Sequence, residues 1–320
     1  MVAPPAGIPP QILAKLAELE AALGSAIRGK SEVVRLSLVC LLARGHLLIE
    51  DVPGVGKTTL AQALSRSVSG RFHRLQFTSD MLPSDVVGVT IYNAHSEAFE
   101  FKPGPIFSNF LLADEINRTT PKTQSALLEA MNEGQVTIDG HSHSLPRPFM
   151  VIATQNPVEH HGTYPLPESQ LDRFLMRLRI GYPDASSERE ILRNTERKTL
   201  DVTTALVAED VVQLQDAVQR VTVEEAIVDY MLAIVERTRN HESLALGVSP
   251  RGSQALYRAV QGLALVEGRE YAIPDDVKRL AAPLFAHRVV INTRTTLAPR
   301  RIDTGERIIE EILNQVEVPL

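Results

Sequence analysis

The sequence predicts an α/β fold, a parallel five-stranded sheet with two β-hairpin insertions followed by an all-helical domain, and three observations carry that expectation. Short apolar runs alternate with helical periodicity from Leu13 to Pro183. A strand, a glycine-bearing loop and a helix follow one another in "LLIEDVPGVGKTTLAQAL", Leu47 to Leu64. After Tyr182-Pro183 the strands stop and helical periodicity alone remains. The length of 320 residues, with 44% hydrophobic and 22% charged residues, leaves ample material for a core of this size.

Taken in order, residues 1–10 are Pro/Ala-rich, with neither a basic region nor an apolar stretch, and are expected to be a disordered tail rather than a signal peptide. A nucleotide-binding α/β domain is expected over 11–183. Its strands fall near Leu47–Glu50, His73–Phe77, Phe110–Asp114, Phe149–Thr154 and Leu175–Ile180. One hairpin is expected from Val86–Tyr92 and Phe99–Phe101, and another from Gln135–Ile138 and His141–Leu145 around the turn dipeptide Asp139-Gly140. A helical domain over 184–320 is expected from Ser187–Arg197, with a Ser187/Glu190 capping box, then Glu209–Gln219, Glu224–Asn240, Pro250–Glu267, Pro274–Ala286 and Thr304–Val316.

A net charge of −6 gives no basic field, so nucleic acid is not an expected partner. No apolar run reaches the ~18 residues that a membrane-spanning helix needs. The single cysteine, Cys40, lies within the apolar pattern Val33 to Leu42, as a buried structural thiol does. These features together predict a cytoplasmic protein.

The loop at 51–58 is a candidate phosphate site. Its motif, G-x-x-x-x-G-K-[ST], is complete except that Asp51 stands in the place of the first glycine. Pro53 has no N–H, so the cradle for phosphate is the backbone of Gly54, Val55, Gly56, Lys57 and Thr58, continued by Thr59 into a helix whose positive dipole end faces the same way. The Asp51 carboxylate must turn aside, because a unit charge about 6 Å from a phosphate charge costs roughly 3 kcal/mol at an effective dielectric of about 20. Asp51 is therefore expected to be a tolerated variant that points sideways. The alternative is an ordinary glycine-rich βα turn.

Downstream, Asn109 to Glu115 is an apolar strand that ends in two acids. Asp114 is suited to hold the water shell of Mg²⁺ beside Thr58, and Glu115 to polarise an attacking water, a division that needs adjacent carboxylates facing different atoms. An acidic helix N-terminus is the competing reading. His141, His143, His160 and His161 have no acid or cysteine near them in sequence and read as solvated side chains, so no structural metal is expected.

Further segments resemble those of AAA+ ATPases. "FMVIATQNP" around Asn156 looks like sensor 1, "LPESQLDRF" like the arginine-finger segment, and "SPRGSQAL" like sensor 2. "DEINRTTPKTQSALLEAMNEGQV" and "GREYAIPDDVKRLAAPLFAHR" are similar to the MoxR family in particular, and the likeness runs from about Leu19 to about Ile309. The resemblance implies an AAA+ P-loop fold with a helical lid. It implies ATP hydrolysis with Mg²⁺, Asn156 orienting the water, Arg173 given to a neighbouring subunit's γ-phosphate, and Arg251 contributed by the lid. It places adenine against Ala26 to Lys30, hence Ile27 and Arg28, and makes Arg118 either a further intersubunit arginine or a structural one.

It also implies a homo-oligomer, a hexameric ring, that remodels, matures or activates a client, including a partner with a von Willebrand factor A domain. The aromatic–apolar–Gly pore loop of threading unfoldases is absent where "FTSDMLPSD" stands. Two other readings stay open. One is a nucleotide-gated assembly switch with little turnover, against which Glu115 and Arg173 count; the other is a DNA motor of the related helicase branch, against which the acidic balance counts.

Overall fold

The computed structural model describes residues 10–27, 29–156, 162–193, 204–292 and 302–319. Helices α1 (Pro10–Ala26) and α2 (Ser31–Leu42) precede strand β1 (Leu47–Glu50), and α3 (Lys57–Ser67) follows it directly. Next come β2 (Phe72–Gln76), the short α4 (Pro83–Val87) and a hairpin of β3 (Gly88–Asn93) and β4 (Ala98–Pro103). Gly88 closes the hairpin's base at φ +100°, where an added Cβ would lie 2.3 Å from the Lys102 carbonyl oxygen, so only glycine fits. Strand β5 (Phe110–Asp114) leads through a 3₁₀ turn, Ile116–Arg118, into α5 (Pro121–Glu133) and a second hairpin, β6 (Gln135–Ile138) with β7 (His141–Ser144). The α/β part ends with β8 (Met150–Gln155), α6 (Glu168–Leu171) and β9 (Met176–Leu178).

The five parallel strands lie in the order β2-β5-β8-β1-β9. Their register is tight: Leu47 is level with Ile152 and Met176, and Phe110 with Phe72 and Met150. All five therefore begin at one edge and end at the other, and the loops after β1, β5 and β8 gather at the carboxyl edge, where open α/β sheets bind ligands.

Alternation along the strands divides the core in two. Leu47, Ile49, Phe110, Leu112, Met150 and Ile152 face one side, and Leu48, Leu111, Ala113, Val151 and Ala153 face the other, where Leu127, Leu128, Phe77 and Phe174 cover them. The middle strands are apolar on both faces, as a covered parallel sheet requires.

After residue 183 come α7 (Ala185–Arg193), α8 (Ala208–Val218), α9 (Glu225–Arg239), α10 (Pro250–Val266), α11 (Pro274–Phe285) and α12 (Ile302–Gln315). The first of these begins at Ala185, two residues before the expected cap Ser187, and the Asp184 carbonyl accepts from Glu188 N at 2.9 Å. The region is not wholly helical: β10 (Leu244–Leu246) and β11 (Val290–Ile291) form a two-stranded antiparallel pair. Strands this short leave no periodicity to read. Apolar residues of these helices, among them Leu214, Leu256, Leu263 and Leu280, belong to the same cluster as Leu47 and the buried face of α2.

The other differences are small. β2 and β8 are each displaced by one residue from the expected spans, and β9 is cut to Met176–Leu178 because the backbone beyond it leaves the ladder. No helix among the described residues is long and apolar enough to cross a membrane.

Candidate active site

Between β1 and α3 the chain passes through Gly54 at φ +87° and Gly56 at φ +99°, conformations that strain any L residue. Gly56 is the N-cap of α3 and supplies no side-chain cap, so the helix's first N–H groups open into the loop. The Lys57 Nζ donates to the Asp51 carbonyl oxygen at 2.7 Å. The parallel pairing of β1 and β5 with β8 sets the loop and the acids Asp114 and Glu115 at one edge of the sheet. Burial pulls the Lys57 pKa down, and the carboxylates of Asp114, Asp51 and Glu115 act in the opposite direction.

Asp51 turns sideways, as expected, but it is more than tolerated. Its Oδ1 accepts from Val52 N at 2.8 Å, and its Oδ2 accepts from Ile180 N at 2.8 Å and Gly181 N at 2.6 Å. These are the backbone groups that β9 frees when it leaves the ladder. A glycine here would strip Ile180 and Gly181 of an acceptor, at a cost of about 1–3 kcal/mol for the buried Ile180 N–H. The departure from the motif joins the phosphate loop to the exit of β9.

Asp114 and Glu115 occupy the end of β5 in different environments. Asp114 Oδ1 accepts from Thr154 Oγ1 at 2.6 Å, and its Oδ2 accepts from Arg74 Nη2 at 2.7 Å. Glu115 sits at φ 57°, a left-handed conformation that costs a non-glycine residue about 1 kcal/mol or more. Its Oε2 accepts from Gln76 Nε2 at 2.8 Å and pairs with Arg118 Nε at 2.8 Å, while its N–H donates to Thr154 Oγ1 at 2.9 Å. Arg118 thus lies on the acid of its own chain.

The residues Arg74, Gln76 and Thr154 were not anticipated. Arg74 and Gln76 are two apart on β2 and share a face, but only the sheet order sets β2 against β5. Hydroxyl and carboxylate oxygens at one edge suit a hard divalent cation, and Thr58, in the first turn of α3, and Asp114 meet that requirement. Asn156 follows β8 at the same edge and is buried. Ile27, at the end of α1, is buried in the cluster against which Val55 of the loop packs. Arg28, His160 and His161 lie outside the described residues, and so does most of the expected tail. His143 stacks on Phe101 at 4.1 Å between ring centroids, which joins the two hairpins.

Arg173 and Arg251 lie elsewhere. Both line a cavity of about 250 Å³ together with Gly45, His46, Arg44, Arg258 and Arg288. Gly45 and His46 precede β1, Leu175 N donates to the His46 carbonyl at 2.8 Å, and Arg173 lies two residues before Leu175. The cavity is therefore at the amino edge of the sheet. Six residues of chain separate Gly45 from Asp51, roughly 20 Å at about 3.3 Å per residue. Five arginines line the cavity and Asp172 is the acid among its lining residues. The Arg173 Nε is buried and has no hydrogen-bond partner. Such a surface can receive an anion, and an anion held at Lys57 of the same chain would be out of its reach.

Comparison with known proteins gives the family and the fold. Residues 46–176 match the ATPase family associated with various cellular activities (AAA), and residues 236–312 match the AAA lid domain. The chain is 42% identical to the chaperone MoxR1 of Mycobacterium tuberculosis over 99% of its own length and 86% of that protein's. It is 52% identical to the protein YeaC of Bacillus subtilis over 91% of each chain. A crystal structure of a candidate ATPase from Cytophaga hutchinsonii superposes with a TM-score of 0.88 at 37% identity, covering 97% of this chain and 96% of that one. With the glycine loop, the paired acids of β5 and the helical lid all in place, the chain belongs to the MoxR family of AAA+ ATPases.

Proposed function

We propose that the chain hydrolyses ATP to ADP and phosphate in a cytoplasmic homo-oligomeric ring, a hexamer, and uses the turnover to remodel, mature or activate a client protein. Residues 11–183 serve as the nucleotide-binding domain and 184–320 as the lid. The observation that carries this reading is the separation of Lys57, Asp114 and Glu115 at one edge of the sheet from Arg173 and Arg251 at the other. A site for phosphoryl transfer needs both sets, and a neighbouring copy is the economical source of the second.

In this reading the loop amides and Lys57 hold the phosphates, Glu115 takes up the proton side of the attacking water, and Asn156 orients it. Thr58 and Asp114 would hold Mg²⁺, which supplies charge neutralisation between the phosphates. Arg173 and Arg251 of the next copy stabilise charge that develops in the transition state.

A client in the manner of the chaperone MoxR1, including one with a von Willebrand factor A domain, follows from kinship. The acidic balance of −6 supports a protein client over nucleic acid. A nucleotide-gated switch with little turnover draws on Gln76 and Arg118, which both engage Glu115. The test is phosphate release with ATP and Mg²⁺, measured alongside sedimentation with and without nucleotide. Turnover that rises with assembly supports the ring ATPase. Assembly on ATP without turnover supports the switch, and turnover by a monomer contradicts both.

A further inference from the structure

Arg173 and Arg251 come from parts of the chain nearly eighty positions apart, yet they share one cavity, and Asp172 lines it with them. Asp172 Oδ1 accepts from Arg288 Nε at 2.8 Å, and its Oδ2 accepts from Ser249 Oγ at 3.2 Å. Ser249 is the N-cap of α10. Its Oγ in turn accepts from Gly252 N at 3.2 Å, so the hydroxyl that caps the helix carrying Arg251 is the one that binds the residue before Arg173.

Arg288 completes the clasp from the other side. Its Nη2 donates to the Phe174 carbonyl at 2.7 Å and its Nη1 to the Leu175 carbonyl at 3.0 Å, so one guanidinium holds both residues that follow Arg173. His287 Nε2 lies 3.0 Å from the Phe174 carbonyl as well. Burial pushes the Arg288 pKa down and Asp172 is the main influence that opposes it, while Arg251 is close enough to act against the charge. Without Asp172, the five arginines that line the cavity would have no acid among the lining residues to oppose them.

We propose that Asp172 is a positioning residue that clasps the Arg173 segment to the N-terminus of α10, so that Arg173 and Arg251 act as one unit on the nucleotide of a neighbouring copy. The inference rests on the reading that the site is completed in trans, and it goes beyond it. The lid arginine does not swing over its own phosphate loop; it moves with the finger, because both are fixed to the amino edge of the same sheet. A change at Asp172 therefore impairs the neighbour's site and leaves its own nucleotide binding intact.

The experiment uses the full-length chain. Asp172→Ala and Ser249→Ala are measured for binding of a fluorescent ATP analogue and for turnover, alone and mixed with Lys57→Ala. The Arg173→Ala/Lys57→Ala mixture is the control. Asp172→Ala is expected to bind the analogue within about threefold of wild type and to lose about 10- to 100-fold in turnover, the scale of a misplacement of about 1 Å. Mixed with Lys57→Ala it regains activity; mixed with Arg173→Ala it does not. On an Arg173→Ala/Arg251→Ala background it has no further effect.

Ser249→Ala removes the helix-cap bond and keeps the Arg288 ion pair, so it carries the test if Asp172→Ala fails to fold, with a smaller loss and the same complementation. If the control mixture stays inactive, completion in trans is wrong and the clasp falls with it. If the control regains activity but neither variant joins the Arg173 group, or either one loses nucleotide binding, the clasp alone is overturned.

Discussion

The two edges of the parallel sheet are built from opposite chemistry. At the carboxyl edge, glycines at positive φ open a loop of backbone N–H groups, and Asp114 and Glu115 stand in a web of short hydrogen bonds to Arg74, Gln76, Arg118 and Thr154. At the amino edge, five arginines line a cavity that contains one acid. The first edge can hold phosphate and water, and the second can hold only negative charge. Because the strands run parallel and in register, no rotation of a loop brings the edges together. The proposed site takes one half from each edge, and that separation is the physical reason to expect a ring.

The comparison breaks most visibly at the carboxyl edge. Lys57→Ala is expected to abolish nucleotide binding, and Glu115→Gln to keep binding and lose turnover, since one side chain meets phosphate and the other only the attacking water. Equilibrium binding of a fluorescent ATP analogue together with phosphate release separates the two. Equal affinity in wild type and Lys57→Ala would remove the site from this edge.

A smaller effect distinguishes the edges by pH. His46, at the amino edge, is buried, with Nδ1 accepting from Val151 N at 3.0 Å and Nε2 donating to the Met131 carbonyl at 3.1 Å. Burial lowers its pKa from 6.5 to about 4. The unfolded chain takes up this proton first as pH falls, so the contribution is full above about pH 6.5 and is lost progressively toward pH 4, about 3 kcal/mol in all. Urea unfolding at a series of pH values should show a shallower acid slope in His46→Gln than in wild type, whatever the variant's stability at neutral pH. An unchanged slope would mean that His46 is not the group responsible.

The smallest expected effect on nucleotide comes from Asp51. Asp51→Gly should leave ATP affinity within a few-fold, because the carboxylate faces Ile180 and Gly181, while stability falls by about 2 kcal/mol. A hundredfold gain in affinity, about 2.7 kcal/mol, would show that the charge faces phosphate after all.

What the sequence disclosed was local. The loop at Lys57, the acids at the end of β5 and the core strands are contiguous patterns; β1 and β5 have the expected bounds, and β2 and β8 are off by one residue. What it withheld depended on partners distant in the chain. Arg74 and Gln76 matter because β2 lies beside β5, and Asp51 matters because β9 stops at Leu178 and leaves backbone donors behind. The short strands β10 and β11 left no readable period. The common cavity of Arg173 and Arg251 follows from how α10 seats against the sheet's amino edge, and nothing in either segment announces the other.

The most direct test of completion in trans is ATP turnover in a mixture of Arg173→Ala and Lys57→Ala subunits, after subunit exchange has been confirmed. A finger arginine is worth about 10³–10⁵ in rate, roughly 4–7 kcal/mol, so each parent should be inactive, with Arg173→Ala binding ATP nearly normally. At interfaces that pair an intact arginine edge with an intact phosphate edge, the mixture should hydrolyse ATP. An inactive mixture, or full activity of Arg173→Ala alone, would mean that one chain completes its own site and would contradict the account.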